Sequence, residues 1–233
     1  MESTINIGLE PRQTPNDYSG TRIISVANYK GGQGKTTIAA NYARYVGGAY
    51  LTNENSKRIK AILSACIPES RYFYLGDERS HYVEILKKAL PKANGHIVFD
   101  FGGYADRRLS SIIANSDLVV IPFRYSGDLD LGVFIETIET FRSWNAKKVI
   151  IVINDTDTYE LPDVKETLNK LYGDKYPIKV VRRSRIARRL IRPGQLIDDA
   201  IVEKGAQARS LTVFRDQLID VFETIETLLK GGR

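Results

Sequence analysis

The sequence predicts an α/β fold in which a mostly parallel β-sheet is sandwiched between helices. Short runs rich in Val and Ile recur along the chain, and segments with the apolar spacing of helices separate them. A glycine-rich turn joins the first of these runs to the first helix. Continuous apolar runs are typical of strands buried on both faces, and strands that alternate with helices are typical of parallel sheets. Ligands of such sheets bind beyond the carboxyl ends of the strands.

The predicted elements follow in order along the chain. The strands cover residues 23–27, 49–52, 96–100, 118–121, 149–153 and 178–181. The helices between them cover residues 35–46, 56–65, 80–90, 106–115, 129–144 and 160–171. A final helix carries an apolar stripe from 211 to 229, and the stretch 68–77 is predicted to be a loop.

Length and composition favour one domain. At 233 residues the chain suits a single large α/β domain, which we assign to residues 21–233. Residues 1–20 are predicted to form a polar N-terminal extension. The sole cysteine, Cys66, excludes an internal disulfide framework and favours a reduced cytoplasm. No apolar stretch approaches ~20 residues, so no transmembrane helix is expected.

Residues 28–37 read Asn-Tyr-Lys-Gly-Gly-Gln-Gly-Lys-Thr-Thr and form the predicted phosphate-binding loop. Glycines at 31, 32 and 34 allow successive backbone N–H groups to point at one anion. Lys35 supplies a positive charge for the β- and γ-phosphates, and the Thr36 hydroxyl is a Mg²⁺ ligand. The helix that follows directs its N-terminal N–H groups at the same place. The loop therefore predicts a nucleoside triphosphate with Mg²⁺ as the ligand.

The loop departs from the usual G-x-x-x-x-G-K-[ST] pattern, because Tyr29 stands where the first Gly belongs and Lys30 precedes the glycines. The run from Lys30 to Thr37 resembles the deviant phosphate loop K-G-G-x-G-K-T-T of the ParA/MinD family of ATPases, and Asn28 resembles its ParA version. The resemblance implies a P-loop ATPase that dimerises on ATP, with Lys30 reaching the nucleotide of the partner subunit. It implies that the whole loop holds the nucleotide, through Lys30, Gly31, Gly32, Gln33, Gly34, Lys35, Thr36 and Thr37.

A second candidate site follows the strand at 96–100. That strand ends in Asp100, and two glycines come soon after it. A carboxylate at this point is suited to hold a Mg²⁺-bound water near the γ-phosphate. The alternative is an ordinary turn residue at a strand end. The presence of the phosphate-binding loop favours metal binding by Asp100 together with Thr36, and the ParA/MinD resemblance extends through Asp117–Pro122.

Asn154 follows the predicted buried strand at 149–153. The resemblance implies that it contacts adenine, and the alternative is a turn-forming Asn-Asp pair with Asp155.

The residue that would position the attacking water lacks its usual sequence motif. ParA-like proteins carry D-x-D-P-Q after the second strand, and this chain reads Thr-Asn-Glu-Asn-Ser at 52–56. Glu54 is the carboxylate within reach and is our candidate. The alternative is that Glu54 begins the next helix and complements its dipole. We therefore list Lys30, Lys35, Glu54 and Asp100 as catalytic candidates and expect slow hydrolysis that a partner stimulates.

Six arginines lie within eleven residues and equal the whole net charge of +6. This arginine cluster comprises Arg182, Arg183, Arg185, Arg188, Arg189 and Arg192. The last four have helical i, i+3, i+4, i+7 spacing and no acid among them, so we expect them to bind the phosphate backbone of DNA without sequence specificity. A solvated face is the alternative, and the resemblance also allows a role at the dimer contact.

The final helix argues against a membrane-bound protein. MinD-like proteins hold membranes with a basic C-terminal helix, whereas this helix carries Asp216, Asp220, Glu223 and Glu226. Anionic lipid repels such a face, so we expect the helix to pack on the sheet.

Together these features predict a ParA-like partition ATPase. It would bind ATP and Mg²⁺, dimerise, bind DNA on the nucleoid and act with a separate adaptor that binds the centromere of a plasmid or other replicon. The alternatives are a nucleotide-gated interaction protein with little hydrolysis, for example in conjugation, and a MinD-like positioning ATPase.

Overall fold

The computed structural model describes residues 20–54, 63, 67–75, 81–102, 109–184, 195–205 and 209–231. The predicted extension at 1–20 lies outside the described residues apart from Gly20, and the predicted helix at 56–65 lies outside them apart from Leu63. Within the described residues, seven strands form one sheet, in the order β3-β2-β4-β1-β5-β6-β7. Every neighbouring pair is parallel. The strands are β1 Arg22–Val26, β2 Ala49–Thr52, β3 Tyr72–Tyr74, β4 His96–Asp100, β5 Leu118–Phe123, β6 Val149–Asn154 and β7 Ile178–Val181.

The helices described connect and cover these strands. They are α1 Lys35–Val46, α2 His81–Ala89, α3 Ser110–Asn115, α4 Asp128–Ser143, α5 Leu161–Tyr172, α6 Ile197–Lys204 and α7 Arg209–Lys230. The predicted bounds of 35–46, 129–144 and 160–171 match to within one residue at each end. The α/β sandwich expected from the sequence is confirmed.

One prediction is wrong. The stretch 68–77, expected to be a loop, contains a 3₁₀ turn at Glu69–Arg71 and the edge strand β3. Tyr72 pairs with Tyr50 of β2, and the two rings stack with their centroids 5.8 Å apart. A strand of three residues is too short to show a periodic pattern, so only its pairing with β2 defines it.

The sheet has an apolar layer on each face because alternate residues of a strand point to opposite sides. On one face, Ile24 and Val120 pack with residues of α1 and α7 such as Ile38 and Phe222. On the other, Phe99 and Ile121 pack with residues of α2, α4 and α5. Both layers are buried.

Helix α7 packs on the sheet, which confirms the prediction for the last helix. Leu218, Phe222 and Ile225 are buried in the core that includes α1. The Tyr42 hydroxyl of α1 donates to the Glu226 carboxylate at 2.6 Å, and the Lys148 ammonium donates to the Leu228 carbonyl at 2.6 Å. No helix among the described residues is both long enough and apolar enough to span a membrane.

Candidate phosphate-binding site

The phosphate-binding loop lies at the centre of the sheet's carboxyl edge. It follows β1, which pairs with β4 on one side and β5 on the other. This is the point where the strand order changes direction, the usual ligand site of such sheets. The loop needs glycine because Gly32 and Gly34 have φ values of +72° and +90°. An open cleft of about 420 Å³ lies over the loop, lined by residues 31–37 together with Glu54 and Gly102.

Lys35 begins α1 and lies almost buried beneath the loop, with 7% of its surface exposed. Its ammonium donates to the Lys30 carbonyl at 2.9 Å. Burial lowers the pKa of Lys35, while the Asp100 and Glu54 carboxylates act in the opposite direction. A charge that has lost most of its hydration interacts strongly with an anion that enters the cleft.

Asp100 meets Thr36 as the sequence predicted. Its Oδ2 accepts hydrogen bonds from the Thr36 hydroxyl at 2.7 Å and the Tyr50 hydroxyl at 2.5 Å. Its Oδ1 is buried without a hydrogen-bond partner among the described residues. Burial raises the pKa of Asp100 from its ordinary value of 3.8 to about 6, although the Tyr50 and Thr36 hydroxyls and the Lys35 ammonium oppose the rise. A buried carboxylate oxygen without a donor, next to a threonine hydroxyl, fits a hard cation such as Mg²⁺ or a water bound to it.

Tyr50 was missed by the sequence analysis. It lies fully buried in β2, and its hydroxyl donates a hydrogen bond to the Asp100 carboxylate. Burial raises the pKa of Tyr50 well above its usual range, so it remains a donor at every physiological pH. The sequence signal was a tyrosine hydroxyl within a buried strand, because a buried hydroxyl usually has a hydrogen-bond partner.

Glu54 lines the cleft just beyond the end of β2. Its backbone N–H donates to the Thr52 hydroxyl at 3.1 Å. The neighbouring Asn53 accepts from the Gly102 N–H at 2.8 Å, which joins this turn to the segment after β4. Residues 55–62 lie outside the described part of the chain, so both interpretations of Glu54 stay open.

Lys30 is held within its own chain. Its ammonium forms an ion pair with Asp130 in the first turn of α4. The Asp130 carboxylate also accepts from the Ser126 N–H at 3.1 Å, and it is nearly buried. The Lys30 N–H donates to the Asn28 side chain at 2.8 Å, and Asn28 donates to the Pro122 carbonyl. Asp130 was missed; an acid at the start of the helix after β5 was its sequence signal.

Asn154 and Gln33 face each other at the ends of β6 and the loop. The Asn154 amide donates to the Gln33 carbonyl at 2.8 Å. The Gln33 side chain is buried, and its oxygen accepts from the Arg124 N–H at 2.6 Å. The adenine contact predicted for Asn154 stays a prediction.

The arginine cluster is described only at its start. Arg182 and Arg183 are exposed, and Arg183 pairs with Asp157 at 3.2 Å. The Arg182 N–H donates to the Gln217 side chain at 2.8 Å. The other members of the cluster lie outside the described residues, and DNA binding by any of them stays a prediction. They are Arg185, Arg188, Arg189 and Arg192.

Comparison with known proteins finds relatives by structure alone. No protein-family model matches the chain, and no curated protein matches it. A ParA family ATPase from Chlorobium tepidum has a TM-score of 0.59 at 16% identity, over 87% of this chain and 98% of that one. MinD from Aquifex aeolicus has a TM-score of 0.58 at 15% identity, over 87% and 98%. A putative plasmid partition protein from Borrelia burgdorferi, bound to AMPPNP, has a TM-score of 0.55 at 16% identity, over 88% and 99%.

The fold and the loop together define a P-loop α/β protein. More narrowly, the fold is the one that ParA and MinD ATPases share, as the K-G-G-x-G-K-T-T resemblance implied. The identities are low, so this likeness concerns the fold.

Proposed function

We propose that this chain is a ParA-like ATPase that binds ATP with Mg²⁺, dimerises on the bound nucleotide and, as a dimer, binds DNA without sequence specificity. The observation that carries the proposal is the loop at 30–37 at the centre of a parallel sheet, with Lys35 beneath it and Thr36 against Asp100. The low-identity likeness to ParA and plasmid partition proteins supports the choice of class.

Each residue of the site has a separate role in this proposal. The loop N–H groups and Lys35 hold the β- and γ-phosphates. Thr36 and Asp100 hold Mg²⁺, which neutralises phosphate charge when bound. Lys30 leaves Asp130 and crosses to the nucleotide of the partner subunit. Glu54 accepts a hydrogen bond from the attacking water, and its isolated position in place of D-x-D-P-Q makes hydrolysis slow.

The DNA-binding part of the proposal rests on charge. The arginine cluster carries six positive charges in eleven residues and equals the net excess of the chain. The cargo, a plasmid or another replicon, would be coupled through a separate adaptor that binds its centromere.

The deciding experiment measures duplex DNA binding by the purified protein without nucleotide, with ADP, with ATP and with a slowly hydrolysed ATP analogue. We expect binding with ATP and the analogue alone, and a steep loss of affinity as salt rises because counterions are released. Absence of DNA binding at low salt by an ATP-bound dimer would overturn the partition role.

A second candidate is a nucleotide-gated interaction protein with little hydrolysis. The absence of D-x-D-P-Q from residues 50–56 favours it. This second function predicts dimers that form with ATP but do not bind DNA. A MinD-like membrane role is disfavoured because the apolar stripe of α7 is buried against the sheet and α1.

A further inference from the structure

The end of β6 touches the phosphate-binding loop at one peptide. The Asn154 amide nitrogen donates to the Gln33 carbonyl at 2.8 Å. A Cβ built on Gly34 would lie 2.1 Å from that nitrogen, so the side chain packs directly against the Gly34 backbone. The contact joins residues 121 positions apart in the chain.

The direction of this hydrogen bond determines the direction of the next N–H group. In a trans peptide, the C=O of one residue and the N–H of the next point to opposite sides of the chain. Asn154 holds the Gln33 carbonyl toward β6, so the Gly34 N–H points away from β6. Gly34 lines the cleft over the loop. We expect this orientation to turn the Gly34 N–H toward a bound phosphate.

A second strand secures the same residue. The Gln33 side-chain oxygen accepts from the Arg124 N–H at 2.6 Å, just beyond the end of β5. The Gln33 side chain is only 3% exposed and therefore lies in the protein interior. Backbone and side chain of Gln33 are thus tied to two neighbouring strands, β6 and β5.

We propose that Asn154 is a positioning residue of the phosphate-binding loop, which acts through the Gln33 carbonyl to keep the Gly34 N–H turned toward the phosphates. The inference rests on the proposed nucleotide binding and deepens it. It gives Asn154 a role that does not depend on the base, because one N–H of its amide donates to the Gln33 carbonyl of the loop. Phosphate affinity and base preference then respond differently to its loss.

The test compares ATP, GTP and inorganic tripolyphosphate as ligands, by calorimetry. Asn154→Leu preserves much of the side-chain volume and removes the donor; Asn154→Ala serves as the second variant. We expect both variants to lower the affinity for all three ligands by the same factor. That factor should be about tenfold, for one hydrogen bond lost in a desolvated site. In the ¹⁵N spectrum, the shift of the Gly34 amide on addition of tripolyphosphate should shrink in both variants.

A matched control lies two residues farther on. The Thr156 hydroxyl is buried and accepts at 3.1 Å from the N–H of Tyr125, a residue outside the loop. Thr156→Val removes that bond at the same edge of the sheet and should leave tripolyphosphate affinity unchanged. Far-ultraviolet circular dichroism and urea unfolding establish that each variant is folded.

The outcomes separate the two hypotheses. Loss of ATP affinity with unchanged tripolyphosphate affinity, or loss of the ATP-over-GTP preference, would assign Asn154 to the base and overturn the positioning role. Unchanged affinity for all three ligands would also overturn it. If the unmodified protein binds neither ATP nor tripolyphosphate, the proposed function itself fails.

Discussion

The Lys30 ammonium pairs with the Asp130 carboxylate and so joins the phosphate-binding loop to the first turn of α4. Asp130 is nearly buried, whereas 39% of the Lys30 side chain is exposed. Within a single chain, the Lys30 ammonium is therefore engaged in this ion pair. The proposed dimer, with Lys30 acting in trans, requires this pair to break, so we expect the pair to oppose dimerisation.

The two lysines of the loop should differ in their effects. Lys30→Ala should retain nucleotide binding and lose ATP-dependent dimerisation, because its ammonium is held outside the cleft. Lys35→Ala should lose both, because its ammonium lies beneath the loop, where we expect it to contact the phosphates directly. Calorimetry and light scattering with ATP measure the two properties. A Lys30→Ala protein that still dimerised on ATP would remove the trans role.

Asp130→Asn should make dimerisation easier. The substitution removes the ion pair and keeps the side-chain shape, so Lys30 is released. We expect the ATP concentration for half-maximal dimerisation to fall about fivefold, equivalent to ~1 kcal/mol for a partly exposed ion pair. Asp128→Asn is the matched control, since Asp128 bonds to the Tyr125 hydroxyl and not to Lys30. An unchanged or higher ATP requirement in Asp130→Asn would contradict the expectation that the Lys30–Asp130 pair opposes dimerisation.

Asp100 should make stability depend on pH in the absence of ligand. Its folded-state pKa of about 6 lies above its ordinary value of 3.8, so the folded chain binds the proton more tightly than the unfolded chain. Its stabilising contribution is complete below pH 3.8 and disappears as the pH rises through about 6. The change is on the order of 3 kcal/mol. The free energy of unfolding, measured in urea from pH 4 to 7, should fall more in the unmodified protein than in Asp100→Asn. If the free energy of unfolding fell equally with pH in both proteins, the role of Asp100 in this pH dependence would be refuted.

The arginine cluster should carry DNA binding. Replacing Arg188 and Arg189 together with Glu should abolish DNA binding by the ATP-bound protein and leave ATP affinity intact, because phosphate contacts depend on positive charge. The matched control replaces Lys87 and Lys88, which are exposed on α2, with Glu. It makes the same change in net charge. Fluorescence anisotropy with labelled duplex DNA compares the two. Equal losses would assign DNA binding to net charge alone.

The anchoring of α7 can be tested by removing one hydroxyl. Tyr42→Phe breaks the hydrogen bond to Glu226 from a fully buried ring. The free energy of unfolding should fall by about 1–3 kcal/mol, since the carboxylate loses a buried donor. Tyr45→Phe is the control one helical turn later, at a ring that is 46% exposed. Urea unfolding measures the free energy of unfolding of both variants. An equal decrease in the two would contradict the anchoring role of Tyr42.

Several features of the site were predictable because they are local. The glycines, Lys35 and Thr36 lie within one loop, and residue type and spacing along the chain are sufficient to recognise it. Strands and long helices were predictable for the same reason, since their apolar periodicity recurs over a few residues. The placement of Asp100 against Thr36 also followed, because parallel strands end at one edge of the sheet.

The sequence by itself thus determined the α/β architecture and the meeting of Thr36 with Asp100, and it predicted the ligand class. The tertiary structure alone decided that Tyr50 serves Asp100, that Lys30 meets Asp130 and that Asn154 holds Gln33. These partners lie 50 to 121 residues apart. Strand order places β2 beside β4 and β5 beside β6, and no periodicity along the chain encodes that order. A hydrogen bond acts over about 3 Å in space, so its partners are set by how the strands are arranged.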